Sequence, residues 1–178
     1  MFRIHYSTGQ SAQLTTRRVP QYAVAVSSAG GPVYTYKDSN LYSIDQTTLA
    51  ETTMYTSPNG FGSVAVDPSG MVYFAQGTSI YKLNPSSKEA TLLALSGVTL
   101  TSVQMIRADG LGNLIVLDGN SGTTILRKIV LSTGVVSSIV STISFNNAVG
   151  LAVSDSGNIY VTDLFGNKVV KLVLQNHS

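Results

Sequence analysis

Residues 148–172 read AVGLAVSDSGNIYVTDLFGNKVVKL. Three apolar runs, AVGLAV, NIYVTD and KVVKL, are separated by Ser154-Asp155-Ser156-Gly157 and by Leu164–Asn167. Val, Ile and Tyr favour strands. Asp and Gly favour the turns between them, because Asp bonds backbone two residues on and Gly accepts positive φ. The stretch therefore predicts three consecutive antiparallel strands.

The pattern recurs along the chain. NIYVTD (Asn158–Asp163) aligns with NLIVLD (Asn113–Asp118), MVYFAQ (Met71–Gln76) and PVYTYK (Pro32–Lys37), each preceded by a glycine. KVVKL, ending at Leu172, aligns with ILRKI ending at Ile129, SIYKL at Leu83, NLYSI at Ile44 and FRI at Ile4. The continuation of the first copy, RIHYSTGQSAQL, parallels KIVLSTGVVSSI. A fourth run follows most copies: AQLTT, AETTMYT, ATLLAL and VVSSIV. SKEATLLALSG has a helical composition, but its place in the repeat predicts a strand. The turns SDSG, ADGLG, DPSG and SAGG line up before the second run, with the third copy read as one residue longer and with Gln104 and Arg107 near its inner strand.

Four short strands at a period of about 40–46 residues are the unit of a propeller blade. A blade cannot bury both faces alone, and stacking blades around an axis buries them. The expected fold is all-β: a β-propeller of four-stranded antiparallel blades, four to five in this chain or part of a larger propeller. One domain spans 1–178. Outer strands occupy 1–17, three blades 18–56, 57–96 and 97–142, and a last partial blade 143–175. The count leaves one outer strand surplus. A four-bladed ring closes if Ala12–Thr16 pairs with the C-terminal strands. The alternatives are a longer parent propeller, or a partner chain pairing with the open strand edges.

VGLAVSDSGNIYVTDLFGNKVVKL resembles an NHL repeat at Gly150, Leu151, Ala152, Val153, Gly157, Asn158, Tyr160, Val161, Asp163, Asn167 and Lys168. The copy at Phe61–Leu83 keeps the first two strands and loses the Asp and Asn-Lys of the following loop. The resemblance implies a propeller, usually six-bladed, and a binding or scaffolding role. The last repeat is also similar to those of bacterial receptor-kinase sensor domains, which use such propellers outside the cell.

The chain of 178 residues carries a formal charge of +2 with 11% charged residues and no cysteine. Adjacent basic pairs occur at Arg17-Arg18 and Arg127-Lys128 only, which argues against nucleic-acid binding, since that needs a clustered basic face. The apolar runs are too short to span a bilayer as helices, and MFRIHYSTGQ has no signal-peptide core. Abundant Ser and Thr with little charge suit an extracellular or cell-surface protein.

Candidate chemistry is sparse. Asp67, Asp109 and Asp155 read as turn formers. Asp118-Gly119-Asn120 has a fragment of a calcium-loop spacing without the later ligands. Pro58-Asn59-Gly60 resembles the metal-ligand Asn of gluconolactonase-like propeller hydrolases, but Phe61 and Gly62 separate it from the inner strand. His5 and His177 fall far from any inner loop, so no triad or axial metal site is expected, and no cofactor. What remains is the end of the axis where loops gather, with Tyr22, Tyr36, Lys37, Asn59, Asp118, Asn120, Asn147, Asp163, Phe165 and Asn167 as candidate ligand-binding residues. The expected function is a non-catalytic module binding a protein, peptide or carbohydrate. The alternatives are a structural subunit of a larger assembly or virion, and a metal-dependent propeller hydrolase or lyase.

Overall fold

The computed structural model describes residues 2–4, 11–13, 23–26, 31–119, 124–139, 144–154 and 156–173. β1 (Phe2–Ile4) and β2 (Ser11–Gln13) form an antiparallel pair, with Phe2 opposite Gln13. Blade 1 comprises β3 (Val24–Val26), β4 (Val33–Lys37), β5 (Asn40–Ile44) and β6 (Glu51–Thr56). Blade 2 comprises β7 (Ser63–Val66), β8 (Val72–Gln76), β9 (Ser79–Leu83) and β10 (Ala90–Leu92). The short β11 (Ser96–Gly97) precedes blade 3, which holds β12 (Val103–Ala108), β13 (Asn113–Asp118), β14 (Ile125–Val130) and β15 (Val135–Ser138). Blade 4 is β16 (Ala148–Val153), β17 (Ile159–Asp163) and β18 (Lys168–Leu172). Each blade is an antiparallel meander in chain order.

The four small sheets are arranged in a ring as a four-blade β-propeller. Inner strands β3, β7, β12 and β16 pack in succession, and among the described residues no comparable contact joins β16 to β3. Three apolar layers hold the blades together. Tyr34, Tyr36, Leu41 and Met54 of blade 1 meet Val64, Val72, Phe74 and Leu83 of blade 2. Ala65, Tyr73, Ala75 and Ile80 meet Ile106, Leu114, Val116 and Ile129. Ile115, Leu117 and Leu126 meet Leu151, Ile159, Val161 and Val170. Strand alternation sends neighbouring residues to opposite faces, so Leu114 and Val116 look back to blade 2 while Ile115 and Leu117 look forward to blade 4. All four are fully buried, each worth about 1.5–3 kcal/mol of transfer free energy.

Within the helix-like segment 87–97, Ala90–Leu92 form strand β10 and Ser96–Gly97 form β11, so the repeat position gave the right element type. β2 pairs with β1, and among the described residues no strand lies on the outer edge of β18. Of the segment Ala12–Thr16 expected to close blade 4, residues 14–16 lie outside the described residues. One sequence expectation needs correction, because the inner turns are equal in length: Asp67 N donates to Met71 O, Asp109 N to Asn113 O and Ser154 N to Asn158 O. The equivalent of Asp67 and Asp109 is therefore Ser154, whose hydroxyl accepts from Asn158 N at 3.1 Å; Asp155 lies outside the described residues. Asp67 and Asp109 fill the turn role, accepting from the amides two and four residues on at 2.8–3.0 Å.

The link between blades 2 and 3 was not foreseen. β11 runs parallel to β15, with Ser96 opposite Val135. This strap brings the Ala94 carbonyl into the space that a Cβ on Gly134 would fill, and Gly134 has φ +71°. Leu49 and Lys88 take the same left-handed conformation in the matching outer turns of blades 1 and 2, each with φ 60°. Gly134→Ala is expected to cost about 2 kcal/mol or more, combining left-handed strain with displacement of the strap. Lys88→Gly is expected to stay within about 1 kcal/mol of wild type, since relief of strain offsets the added freedom of the unfolded chain. Urea denaturation of the two variants measures the contrast.

Candidate binding face at the loop end

The second strand of each blade ends beside the loop that enters that blade's inner strand. In blade 3 the last residue is Asp118. Its Oδ1 accepts from Thr101 N at 2.7 Å, Ser102 N at 2.8 Å and Thr101 Oγ1 at 3.1 Å. Its Oδ2 accepts from Arg127 Nε at 3.2 Å, and Arg127 Nη1 donates onward to Ser138 Oγ. In blade 4 the same position is Asp163, which accepts from Asn147 N at 2.9 Å, Asn146 N at 3.1 Å and Gly166 N at 3.2 Å. Lys168 Nζ lies 3.8 Å from its Oδ2. In blade 2 the position is Gln76, and the polarity reverses: its Nε2 donates to Gly60 O at 2.9 Å and to Ser57 Oγ.

In blades 2, 3 and 4 one side chain thus clasps the entering loop to its sheet. The loop backbone needs partners because it is carried into the packed ring, and an unmade buried hydrogen bond costs about 1–3 kcal/mol. Burial acts to raise the Asp118 carboxyl pKa, but donation from Ser102 N, Thr101 N, the Thr101 hydroxyl and Arg127 overcomes this and leaves it lowered. The Asp163 carboxyl is lowered by Asn147 N first, against burial, with Asn146 N, Gly166 N and the Lys168 charge adding to the effect.

The residues singled out from sequence fall into several groups. Asp118 and Asp163 are buried and face loop amides. Asn147 supplies one of those amides and is half-buried. Asn167 is exposed in the turn after Asp163, with φ 47°, a conformation Asn tolerates better than most residues. Tyr36 is buried in the layer between blades 1 and 2, where its hydroxyl donates to Gly62 O at 2.9 Å and its ring lies 5.7 Å from Phe61. Lys37 pairs with Asp38 at 3.3 Å, and Asn59 is exposed in the loop between blades 1 and 2. Tyr22 and Asn120 lie outside the described residues. The structure therefore gathers Asn147, Asp163, Phe165 and Asn167 at blade 4, while Tyr36, Lys37 and Asn59 belong to blade 1 and the loop that follows it.

Phe165 is 67% exposed and its neighbour Leu164 is 54% exposed. They project from a turn tied down on both sides by Leu164 N to Asn147 O and Gly166 N to Asp163. Sequence reading did not select Leu164, Gln76 or Arg127. Gln76 was legible as the counterpart of Asp118 and Asp163 in the repeat, whereas Arg127 comes from the adjacent strand. Among the described residues no three His, Asp or Glu side chains gather as metal ligands, and no helix is long and apolar enough to cross a membrane.

Comparison with known proteins agrees with this architecture. The family model for the NHL repeat matches residues 145–171, the segment whose Asp163 and Asn167 shape the turn just described. No curated protein sequence matches the chain. Among solved structures, TolB from Acinetobacter baumannii is similar at 14% identity and a TM-score of 0.69, over 93% of this chain and 47% of its own. An auxiliary nutrient binding protein from Bacteroides thetaiotaomicron is similar at 10% identity and a TM-score of 0.74, over 96% and 49%. Hydrazine synthase from Kuenenia stuttgartiensis is similar at 14% identity and a TM-score of 0.65, over 97% and 59%. The chain spans about half of the first and second and three-fifths of the third. At these identities the likeness is one of fold.

Two outcomes follow from the clasps. Asp118→Ala strands Arg127 and two loop amides, so it is expected to lower stability by about 3–5 kcal/mol in urea denaturation, with Asp118→Asn losing less. Because both carboxyl pKa values are lowered in the fold, their contribution is complete above the unfolded value of about 3.9 and is lost as pH falls below it. The thermal midpoint is expected to be nearly flat from pH 7 to about 5 and to fall below about 4. That fall should be shallower in Asp118→Asn.

Proposed function

We propose that this chain is a non-catalytic binding module whose ligand, a protein, peptide or carbohydrate, docks at the loop end of blade 4. The observation that carries the reading is the exposed Leu164–Phe165 pair on a turn fixed by Asp163. An aromatic side chain held on a rigid support binds with little loss of conformational freedom, and its face suits both apolar peptide side chains and sugar rings. Exposed Asn146 and Asn167 supply polar groups beside it. The buried carboxylates at this end, Asp118 and Asp163, are committed to loop amides, which favours binding over catalysis. A nutrient binding protein is among the structures of similar fold, which fits a ligand-binding role. The low charge and hydroxyl-rich composition fit an extracellular or cell-surface setting.

A second reading, a subunit of a larger assembly, is favoured by a separate observation. β18 has no outer neighbour among the described residues, and Val169 on it is 67% exposed. Unpaired edges of this kind accept strands from other chains.

Immobilised glycan and peptide arrays test the first reading. The folded chain is expected to mark a restricted set of spots, and Phe165→Ala is expected to reduce those signals at least tenfold, as loss of an interface anchor does. Undiminished signals in that variant contradict the proposal. A concentration-dependent increase in mass by light scattering, unchanged by Phe165→Ala, supports the assembly reading instead.

A further inference from the structure

The other end of the axis holds a feature that the loop face does not use. Position by position, the inner strands carry Ala25 opposite Tyr34, Ala65 opposite Tyr73 and Ala152 opposite Tyr160. The fourth member of this series is Arg107, opposite Ile115. At this register position three blades carry a methyl group, and blade 3 carries a guanidinium.

Arg107 lines a cleft of about 200 Å³ with Val24 and Val26 of β3, Ala65 and Val66 of β7, and Ala108. The other residues that line the cleft are valines and alanines. Nη1 donates to Ile106 O at 2.7 Å. Among the described residues no carboxylate lies within ion-pair distance of it. The nearby turn carboxylates are occupied: Asp67 takes Ser69 N, Met71 N and the Tyr73 hydroxyl, and Asp109 takes Leu111 N and both nitrogens of Asn113. Burial depresses the Arg107 pKa, the direction expected of a cation drawn partly out of water. Such a charge is costly to hold unless an anion joins it.

We propose that the cleft around Arg107 binds a small aliphatic monocarboxylate. A guanidinium offers five N–H donors in a planar fork that matches a carboxylate with two parallel bonds. A single cation balances a single negative charge, whereas a phosphate dianion needs a second cation that the cleft does not supply. Val24 and Val26, each about half exposed, offer apolar surface for a short hydrocarbon chain. The cleft is smaller than the usual 300–1,000 Å³ of drug-sized sites, roughly, which limits the ligand to a few carbons. This site lies at the opposite end of the axis from Phe165, so the two readings stand or fall separately.

Butanoate is the probe. Titration of the full chain, followed by backbone amide shifts at Ala65, Val66 and Ala108 under constant ionic strength, is expected to saturate with a Kd of about 1 mM or tighter. Butanamide, the uncharged isostere, and inorganic phosphate are each expected to bind at least tenfold more weakly. Arg107→Gln is expected to weaken butanoate at least tenfold, and Arg107→Lys, which keeps charge without the fork, to fall between. Phe165→Ala is expected to leave the titration unchanged. Equal binding of butanamide or of phosphate overturns the assignment, as does an unchanged titration in Arg107→Gln. The comparison of the three small molecules needs only the wild-type chain, so it decides the matter even where the Arg107 variants fail to fold.

Discussion

The clasp between the end of the second strand and the loop entering the inner strand, present in blades 2, 3 and 4, is the constraint on which the ring depends. An apolar layer between two sheets is non-directional and permits sliding. The carboxylates of Asp118 and Asp163 are directional. Each takes two consecutive loop amides, so each fixes where its inner strand begins. With that start fixed, the alternation along β12 and β16 determines which residues meet the neighbouring blade. Both strands then carry a register shift at the same place, between Val103 and Met105 and between Ala148 and Gly150. The clasp and the bulge together aim Ile106 and Leu151 into the interblade layers.

The ring is uneven in a way this logic explains. Blades 2 and 3 are held by two layers each, and the strap β11 adds a further link between them. Blade 4 has one layer, behind Leu151, Ile159, Val161 and Val170, and its far side carries exposed Val149 and Val169. Val24 and Val26 of β3, at the other end of the succession, are about half exposed. Stability therefore concentrates between β8 and β14, and the surfaces available to partners lie toward the ends of the described chain.

The fold was legible because it repeats. One blade is ambiguous, but the same spacing of apolar runs and turns across the chain excludes the helical reading of the segment at β10. The site was less legible, because sequence shows a residue type and not its direction. Asp163 and Asn167 read as a polar face, and the structure uses one to hold loop amides and the other to turn the chain through positive φ. Tyr36 read as a loop aromatic, and alternation along β4 carries it into the layer against blade 2. Ser154 escaped notice because Asp155 beside it looked like the better match to Asp67 and Asp109. Arg107 was visible as a polar residue near the inner strand, but its place among three alanines emerges only once strand register is known.

Amide hydrogen exchange at Thr101, Ser102, Asn146 and Asn147 tests the clasp most directly. All four amides lie in loops, in residues that are partly or fully exposed, so an unclasped loop would exchange them at rates near those of free peptide. The account predicts protection comparable to that of β13 and β17, lost locally at Thr101 and Ser102 when Asp118 is replaced by Ala. Rapid exchange of these amides in the wild-type chain would contradict it, and would return Asp118 and Asp163 to the set of side chains free to meet a ligand.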